Sequence, residues 1–423
     1  MPRTPHRTAD DGRGDGRAGR RRTPYAGRVS VARRRPELLL VMILLALGSV
    51  PDGMVYPGLH ALTAERYQIT ISRASWFTLV PTLGAILSAF FLPALVRSRS
   101  PLAVLRAASV VEAVLLAAVS LPIPYAAVIA LRLVSGACDL AGIAATLRIA
   151  GRVAGTGGRA RSFGWMGTAI MSGLLGGIAL GSFVPTSRVL LVAAAVLALL
   201  ALATYPVERL APSVHDPDPP RPDPVDPSGG PGSDGAVGRR ERLGASLLVA
   251  GDRGLSAVLS TVVPLAVPHV VAGEGNQKRL VGTLLGLSML GMVLGGPIAG
   301  GLVDRLGPAK VRLAGSLLFG FGVLGIVFLA PLGTGAMIAS AAVAGVGAAP
   351  LFAAALSIGT RDRSSTAVYG AIQAAGQGGY AVGSACLVLA RPTGLGESET
   401  LAACAIVYLA LAVATAWLLR TRR

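Results

Sequence analysis

Asp52, Glu112, Arg132 and Asp139 each fall inside a long apolar stretch. A charge placed there is costly, so such residues are functional candidates by default. Arg132 and Asp139 are seven residues apart, which on a helix is two turns along one face, about 10 Å by helical rise. Burial in low dielectric favours the protonated form of a carboxyl, and a nearby guanidinium favours the ionised form. Proton uptake and release could therefore follow the distance between Arg132 and a carboxylate. The alternative is a static buried pair, Arg132–Asp139 or Arg132–Glu112, that fixes helix positions. Asp52 lies in "GSVPDGMVYP", where Pro51, Gly53 and Pro57 point to a bent helix with freed carbonyls, and Tyr56 follows one turn later. Broken helices of this kind bind solutes and ions.

A second group of polar residues is regularly spaced. Tyr369, Gln373, Gln377 and Tyr380 follow i, i+4, i+8, i+11 and form one polar-aromatic stripe. Ligand contact and interhelical hydrogen bonding both suit such a stripe. Asp252 and Arg253 are adjacent, about eight residues into an apolar run. Neighbours on a helix point about 100° apart and need not pair. A gate or vestibule near the cytoplasmic face and snorkelling at the interface are both open for them.

The elements that must position these groups are membrane helices. Of 423 residues, 52% are hydrophobic and 14% charged, against about 25% charged in ordinary soluble domains. Twelve apolar runs are long enough to span a bilayer: about 38–61, 75–96, 102–122, 125–148, 163–184, 187–205, 244–270, 281–303, 310–331, 333–358, 367–390 and 399–419. The fold class is an all-α integral membrane protein, twelve helices in two six-helix bundles.

The net charge of +18 comes mainly from tails and even-numbered connections, with Arg132 and Arg253 read as the basic residues inside spans. That asymmetry places both termini in the cytoplasm of a multi-pass protein of the plasma (inner) membrane. The 1–36 tail holds eleven arginines, which suit topology control or anionic lipid better than nucleic acid. The long first apolar run and the lack of a small-residue site after it argue against a cleavable signal peptide. Cys138, Cys386 and Cys404 all lie within spans, and the four histidines form no HExxH pair, so no metal or cofactor is expected. "GFGVLG" at 320–325 lies within an apolar span with no preceding strand, and no GxxxxGK[ST] is present, which argues against nucleotide chemistry.

Residues 207–242, with eight prolines between 212 and 231, read as a disordered cytoplasmic linker between bundles at 37–206 and 243–423. The bundles look like copies. An offset of 207 pairs Gly84 with Gly291, Leu95 with Leu302 and Pro101 with Pro308. An offset of 209 pairs Gly136 with Gly345 and Arg152 with Arg361, and "GGIALGS" (176–182) matches "GGYAVGS" (378–384) at 202. The charges are not repeated: Asp52 falls opposite Leu259, Glu112 opposite Phe319, Arg132 opposite Ala341 and Asp139 opposite Ala348. The repeat needs none of them to fold.

With these residues in view, the chain over about 37–420 resembles the major facilitator superfamily. "GGLVDRLGPAK" (300–310) is similar to the family's loop motif after span 8, which implies a tight cytoplasmic turn through Gly300 and Gly307. Asp304 would accept hydrogen bonds from a neighbouring helix N-terminus, and Arg305 and Lys310 would hold the loop inside. In the copy after span 2, Pro93 stands in place of glycine and Arg97 in place of Asp. Arg132 followed by Gly136 resembles the span-4 arginine motif. Gly176–Gly177 suits span 5, although Ser172–Gly173 replaces the Gly-Pro of the antiporter signature. The pattern is nearest the drug-exporter branch.

The resemblance implies a non-enzymatic secondary transporter: proton-coupled export of a small amphipathic or cationic organic compound by alternating access. Asp52, Glu112, Arg132 and Asp139 would couple protons, while Asp52, Tyr56, Tyr369, Gln373, Gln377 and Tyr380 would contact the substrate. Gly300, Asp304, Arg305, Gly307, Lys310, Asp252 and Arg253 would serve gating. Proton-coupled metabolite uptake is the alternative, followed by a membrane-embedded enzyme or a transport-dead sensor. The expected partners are substrate, protons and lipid, for a chain acting as a monomer.

Overall fold

A computed structural model describes residues 26–97, 99–153, 159–210, 234–266, 274–359, 366–390 and 396–420. Twelve long helices account for most of them: α1 Ala26–Val55, α2 Trp76–Arg97, α3 Pro101–Ser120, α4 Tyr125–Val153, α5 Arg159–Phe183, α6 Thr186–Leu210, α7 Asp234–Ala266, α8 Glu274–Leu306, α9 Pro308–Phe328, α10 Thr334–Gly359, α11 Thr366–Ala390 and α12 Glu397–Arg420. Hydrocarbon offers no partner to backbone N–H and C=O groups, so apolar spans satisfy them within helices. Ten of the twelve are long and apolar enough to cross a membrane, and α2 contributes the shorter apolar stretch Trp76–Ala89.

Helix ends follow local chemistry. The Ser100 hydroxyl accepts from the Ala103 N–H at 3.2 Å to cap α3, with Pro101 at the first helical position. At the other end Arg66 donates to the carbonyls of Val119, Ser120 and Leu121, where a helix terminus attracts a cation. Beyond Val55, α1 tightens into a 3₁₀ turn at Tyr56–Gly58 and a π-helical stretch at Ala61–Glu65. The bend implied by Pro51, Gly53 and Pro57 thus takes the form of a change in helical pitch. Gly307 adopts φ 86°, which favours glycine, and Pro308 starts α9 immediately after it.

Two expected boundaries shift. Helix covers both ends of the 207–242 linker, because the prolines concentrate in its middle while "RRERLG" suits a helix. Residues 211–233 lie outside the described residues, as do 1–25 of the basic tail, and the side chains of 26–36 are likewise not described.

The halves pack alike. In the first, α1 lies on α4, α5 and α6, α2 on α4, and α3 on α4 and α6. In the second, α7 lies on α10, α11 and α12, α8 on α10, and α9 on α10 and α12. Glycines set the closest approaches at equivalent places. A Cβ on Gly136 of α4 would run into the Pro81 carbonyl of α2, and one on Gly345 of α10 would meet the Ser288 carbonyl of α8. Gly177 of α5 faces the Val50 carbonyl just as Gly379 of α11 faces that of Ala250.

The halves meet through α5 on α8 and α2 on α11, with α4–α11 and α5–α10 contacts beside them. Toward the end that carries both chain termini, Met166 and Ile149 share an apolar cluster with Ala353, Leu356 and Ile372. Toward the opposite end, Ile178 and Tyr56 join the cluster of Leu259, Val262 and Leu284.

Gly177→Val should lower stability by about 3 kcal/mol through overpacking against backbone. Its neighbour Gly176 faces open space, so Gly176→Val should stay within about 0.5 kcal/mol. Thermal melting of the two purified variants checks the contrast.

Candidate functional site

Asp52 reaches the interior because the next residue is Gly53. A Cβ there would meet the Leu174 carbonyl, so α1 lies flush on α5 at this level and Asp52 turns aside, toward a cavity. Glu112 of α3 and Arg132 and Asp139 of α4 line the same cavity, so the four charges singled out in the sequence are brought together. Most of the wall comes from the first half, and Arg253, Gly376, Gln377 and Tyr380 close it from the second. The aliphatic stem of Arg253 lies against Gly376.

The charges surround a gap. Asp52 and Asp139 each lie within electrostatic reach of both Arg132 and Arg253, and Glu112 within reach of Asp52, Asp139 and Arg132. Yet no ion pair joins any of these arginines and carboxylates among the described residues, so the static Arg132–Asp139 or Arg132–Glu112 pair is not formed. Arg132 is buried, with its guanidinium carbon 4.7 Å from the Phe77 ring centroid and its Nε without a partner. That cation–π contact replaces the carboxylate contact the spacing suggested. Glu112 Oε1 accepts from the Ser135 hydroxyl at 3.2 Å.

Tyr56 and Tyr380 also line the cavity, but their hydroxyls bond to each other at 3.1 Å, and Tyr380 bonds further to Ser260 at 3.0 Å. This chain of hydroxyls joins the first half (Tyr56) to α11 and α7 of the second. Gln377 lines the cavity beside Tyr380, while the side chains of Tyr369 and Gln373 lie outside the described residues.

Asp252 and Arg253 part company. Asp252 turns into the second bundle, where its carboxylate accepts from Arg312 Nη2 at 2.5 Å and from the Tyr408 hydroxyl at 2.8 Å. Arg312 Nη1 also donates to the Leu351 carbonyl at 3.0 Å, and Tyr408 packs edge-on against Phe319 with centroids 5.6 Å apart. Four helices, α7, α9, α10 and α12, meet in this network. Besides Arg132 and Arg253, Arg148, 5% exposed, is a buried basic residue within a span, and so is Arg312, 2% exposed. Its place four residues from the start of α9, close behind Lys310, made it look like part of the loop charge. Ser135, Phe77, Ser260 and Tyr408 were missed because nothing local marks them.

The 300–310 turn lies wholly within the described residues. Gly300 is buried, and a Cβ on Gly164 of α5 would press on Gly296 and Gly300, so this stretch of α8 is a contact between halves. Asp304, Arg305 and Lys310 are exposed, and Asp304 makes no hydrogen bond among the described residues. The connection at 154–158 lies outside those residues.

Two six-helix bundles with like internal packing, closing on a charged cavity, define a polytopic membrane protein of the two-bundle type. The family model described as Major Facilitator Superfamily matches residues 41–384 and 244–423, and the chain belongs to that superfamily. No curated protein sequence matches it. Among solved structures it is similar to a nucleoside transporter, NupG, at 15% identity and TM-score 0.63, over 91% of this chain and 100% of that one. It is also similar to the human organic anion transporter MFSD10 (TETRAN), at 17% identity and TM-score 0.60, over 92% and 99%. A bacterial homolog of the human lysosomal transporter Spinster matches at 13% identity and TM-score 0.60, over 91% and 96%. At such identities the likeness is one of fold. The drug-exporter branch finds no support among these structures.

Removing one partner of a buried ion pair strands the other charge, so Arg312→Ala should cost about 3–5 kcal/mol. Arg132→Ala removes a buried charge that has no ion-pair partner and should leave thermal stability close to that of the wild type. Melting curves of both purified variants test the ranking.

Proposed function

We propose that the chain is a proton-coupled secondary transporter that exports a small organic solute bearing a cationic group, through the cavity between its halves. The observation that carries this reading is the set of cavity carboxylates, Asp52 and Asp139, with no hydrogen-bond or ion-pair partner among the described residues. A carboxylate binds either a proton or an ammonium. Competition for the same oxygens makes the two occupants exclusive, and exclusive binding couples outward movement of one to inward movement of the other.

The remaining ionisable groups facing the cavity are Glu112 and Cys138, the hydroxyls of Tyr56 and Tyr380, and the guanidinium groups of Arg132 and Arg253. The lining contributed by α2, α5 and α6 adds no charge. Bringing Arg132 closer to the carboxylates favours their ionised form, and moving it away favours protonation. Arg253, carried by the opposite bundle, changes its distance to Asp52 and Asp139 whenever the bundles rock. The same motion would thus open the cavity and alter proton affinity. Asp52 and Asp139 are the groups proposed to exchange proton for solute, Glu112 stores charge behind them, and Gln377 contacts the solute from the second bundle. Gly300 and Gly307 serve the moving interface and turn on the side of the chain ends.

The test is flux in proteoliposomes under an imposed pH gradient, with a panel of radiolabelled small amines and amino acids and protein-free vesicles as the blank. Gradient-driven uptake of at least one labelled solute into acid-loaded vesicles is expected. Asp52→Asn and Arg132→Ala should each lower it at least tenfold. Transport that ignores the gradient and both substitutions would overturn the coupling. Solute moving in the same direction as protons would assign the chain to uptake instead.

A further inference from the structure

We infer that the transported solute is a small zwitterion, an ammonium and a carboxylate on a compact aliphatic body, bound with its carboxylate on Arg132 and its ammonium between Asp52 and Asp139. This deepens the transport reading above and rests on it.

The argument starts from what the protein leaves unpaired. Arg132 is 8% exposed, lines the cavity and keeps Nε without a hydrogen-bond partner. A guanidinium presents a planar fork of donors that matches a carboxylate. Asp52 and Asp139 offer acceptors at the same gap and make no hydrogen bond or ion pair among the described residues. The second bundle shows how this protein treats a charge of structural purpose: Asp252 receives both Arg312 and Tyr408. Charges of both signs left open around one gap therefore call for a ligand of both signs.

Singly charged ligands fit poorly. A bare cation satisfies the carboxylates, leaves Arg132 buried with its donors idle, and adds a like charge beside it. A bare anion does the reverse. With Glu112 the cavity sets three carboxyl groups against the guanidinium groups of Arg132 and Arg253, so a ligand with no net charge matches it when one carboxyl holds a proton, as the transport reading requires. The body of the ligand meets Leu44, Leu105, Ile143 and Leu197, all aliphatic. The aromatic lining residues, Tyr56 and Tyr380, are bonded to each other through their hydroxyls, and the rest of the wall that is apolar is aliphatic.

Equilibrium binding separates this inference from the transport reading, because it needs no gradient and no movement. The full-length protein in nanodiscs is titrated with leucine, leucine methyl ester, N-acetyl-leucine and N-acetyl-leucinamide: zwitterion, cation, anion and neutral forms of one body. Leucine should bind at least tenfold more tightly than each of the other three. Arg132→Ala should erase the preference for leucine over the ester, and Asp52→Asn should bring leucine down to the level of N-acetyl-leucine. Arg132→Lys, which keeps the charge and loses the fork, should fall between wild type and Arg132→Ala. The wild-type panel decides by itself if a variant fails to fold. Equal binding of the ester would assign a simple cation, and equal binding of the amide a neutral polar solute; either overturns the inference, as does saturable binding by none of the four. Flux under a pH gradient with a different solute would leave the transport reading standing without this one, whereas leucine binding without flux would do the opposite.

Discussion

Backbone pressed on backbone is the constraint from which the rest of this structure follows. In lipid, no hydrophobic force distinguishes a neighbouring helix from an acyl chain, so helices associate through close packing and polar contacts. Here α1 meets α5, α2 meets α4, and their repeats α7–α11 and α8–α10 meet, with glycines facing carbonyls. At these places the partner's backbone occupies the position a side chain would fill. The same glycines, near Asp52 on α1 and between Arg132 and Asp139 on α4, leave adjacent side chains no direction but the space between helices.

Given that frame, the two halves use their interiors differently. The second bundle fills its interior with Phe319 and Tyr408 and neutralises Asp252 with Arg312. The first puts charge opposite those residues in the repeat: Glu112 matches Phe319, and Arg132 matches Ala341. Leu105, the counterpart of Arg312 at offset 207, lines the hollow, and the matching Gly177–Val50 and Gly379–Ala250 contacts set Asp52 opposite Asp252. The aspartate that both halves carry on their first helix is thus open to the cavity in the first and paired in the second. The closed network ties four helices of the second bundle together, while the unpaired cavity carboxylates belong to the first.

Arg253 and the Tyr56–Tyr380–Ser260 hydroxyl chain connect these unlike halves. Both cross the interface at the cavity, one by long-range attraction and the other by hydrogen bonds of about 3 Å. Glycine contacts such as Gly164 with Gly296 lie toward the other end of the interface and depend on close fit. A cavity bordered by directional bonds, close packing and unpaired charge is suited to two discrete arrangements rather than gradual deformation.

The sequence alone determined the membrane class, the twelve helices, the internal repeat and the superfamily, because each is written in local composition, spacing or motif. Span length follows from bilayer thickness, and Gly136 and Gly345 align because the repeat keeps the same close approach. It also marked Asp52, Glu112, Arg132 and Asp139, since a charge within an apolar run stands out whatever its partners. Only the tertiary structure decided which charges are paired. Asp252 and Arg253 are neighbours in sequence and on a helix point about 100° apart, so one entered a buried network with Arg312 and Tyr408 and the other the central cavity. Arg132, seven residues from Asp139 on one helical face, ended on the ring of Phe77. Pairing depends on the relative positions of helices distant in sequence, and helical periodicity specifies which way a side chain points without specifying what it meets.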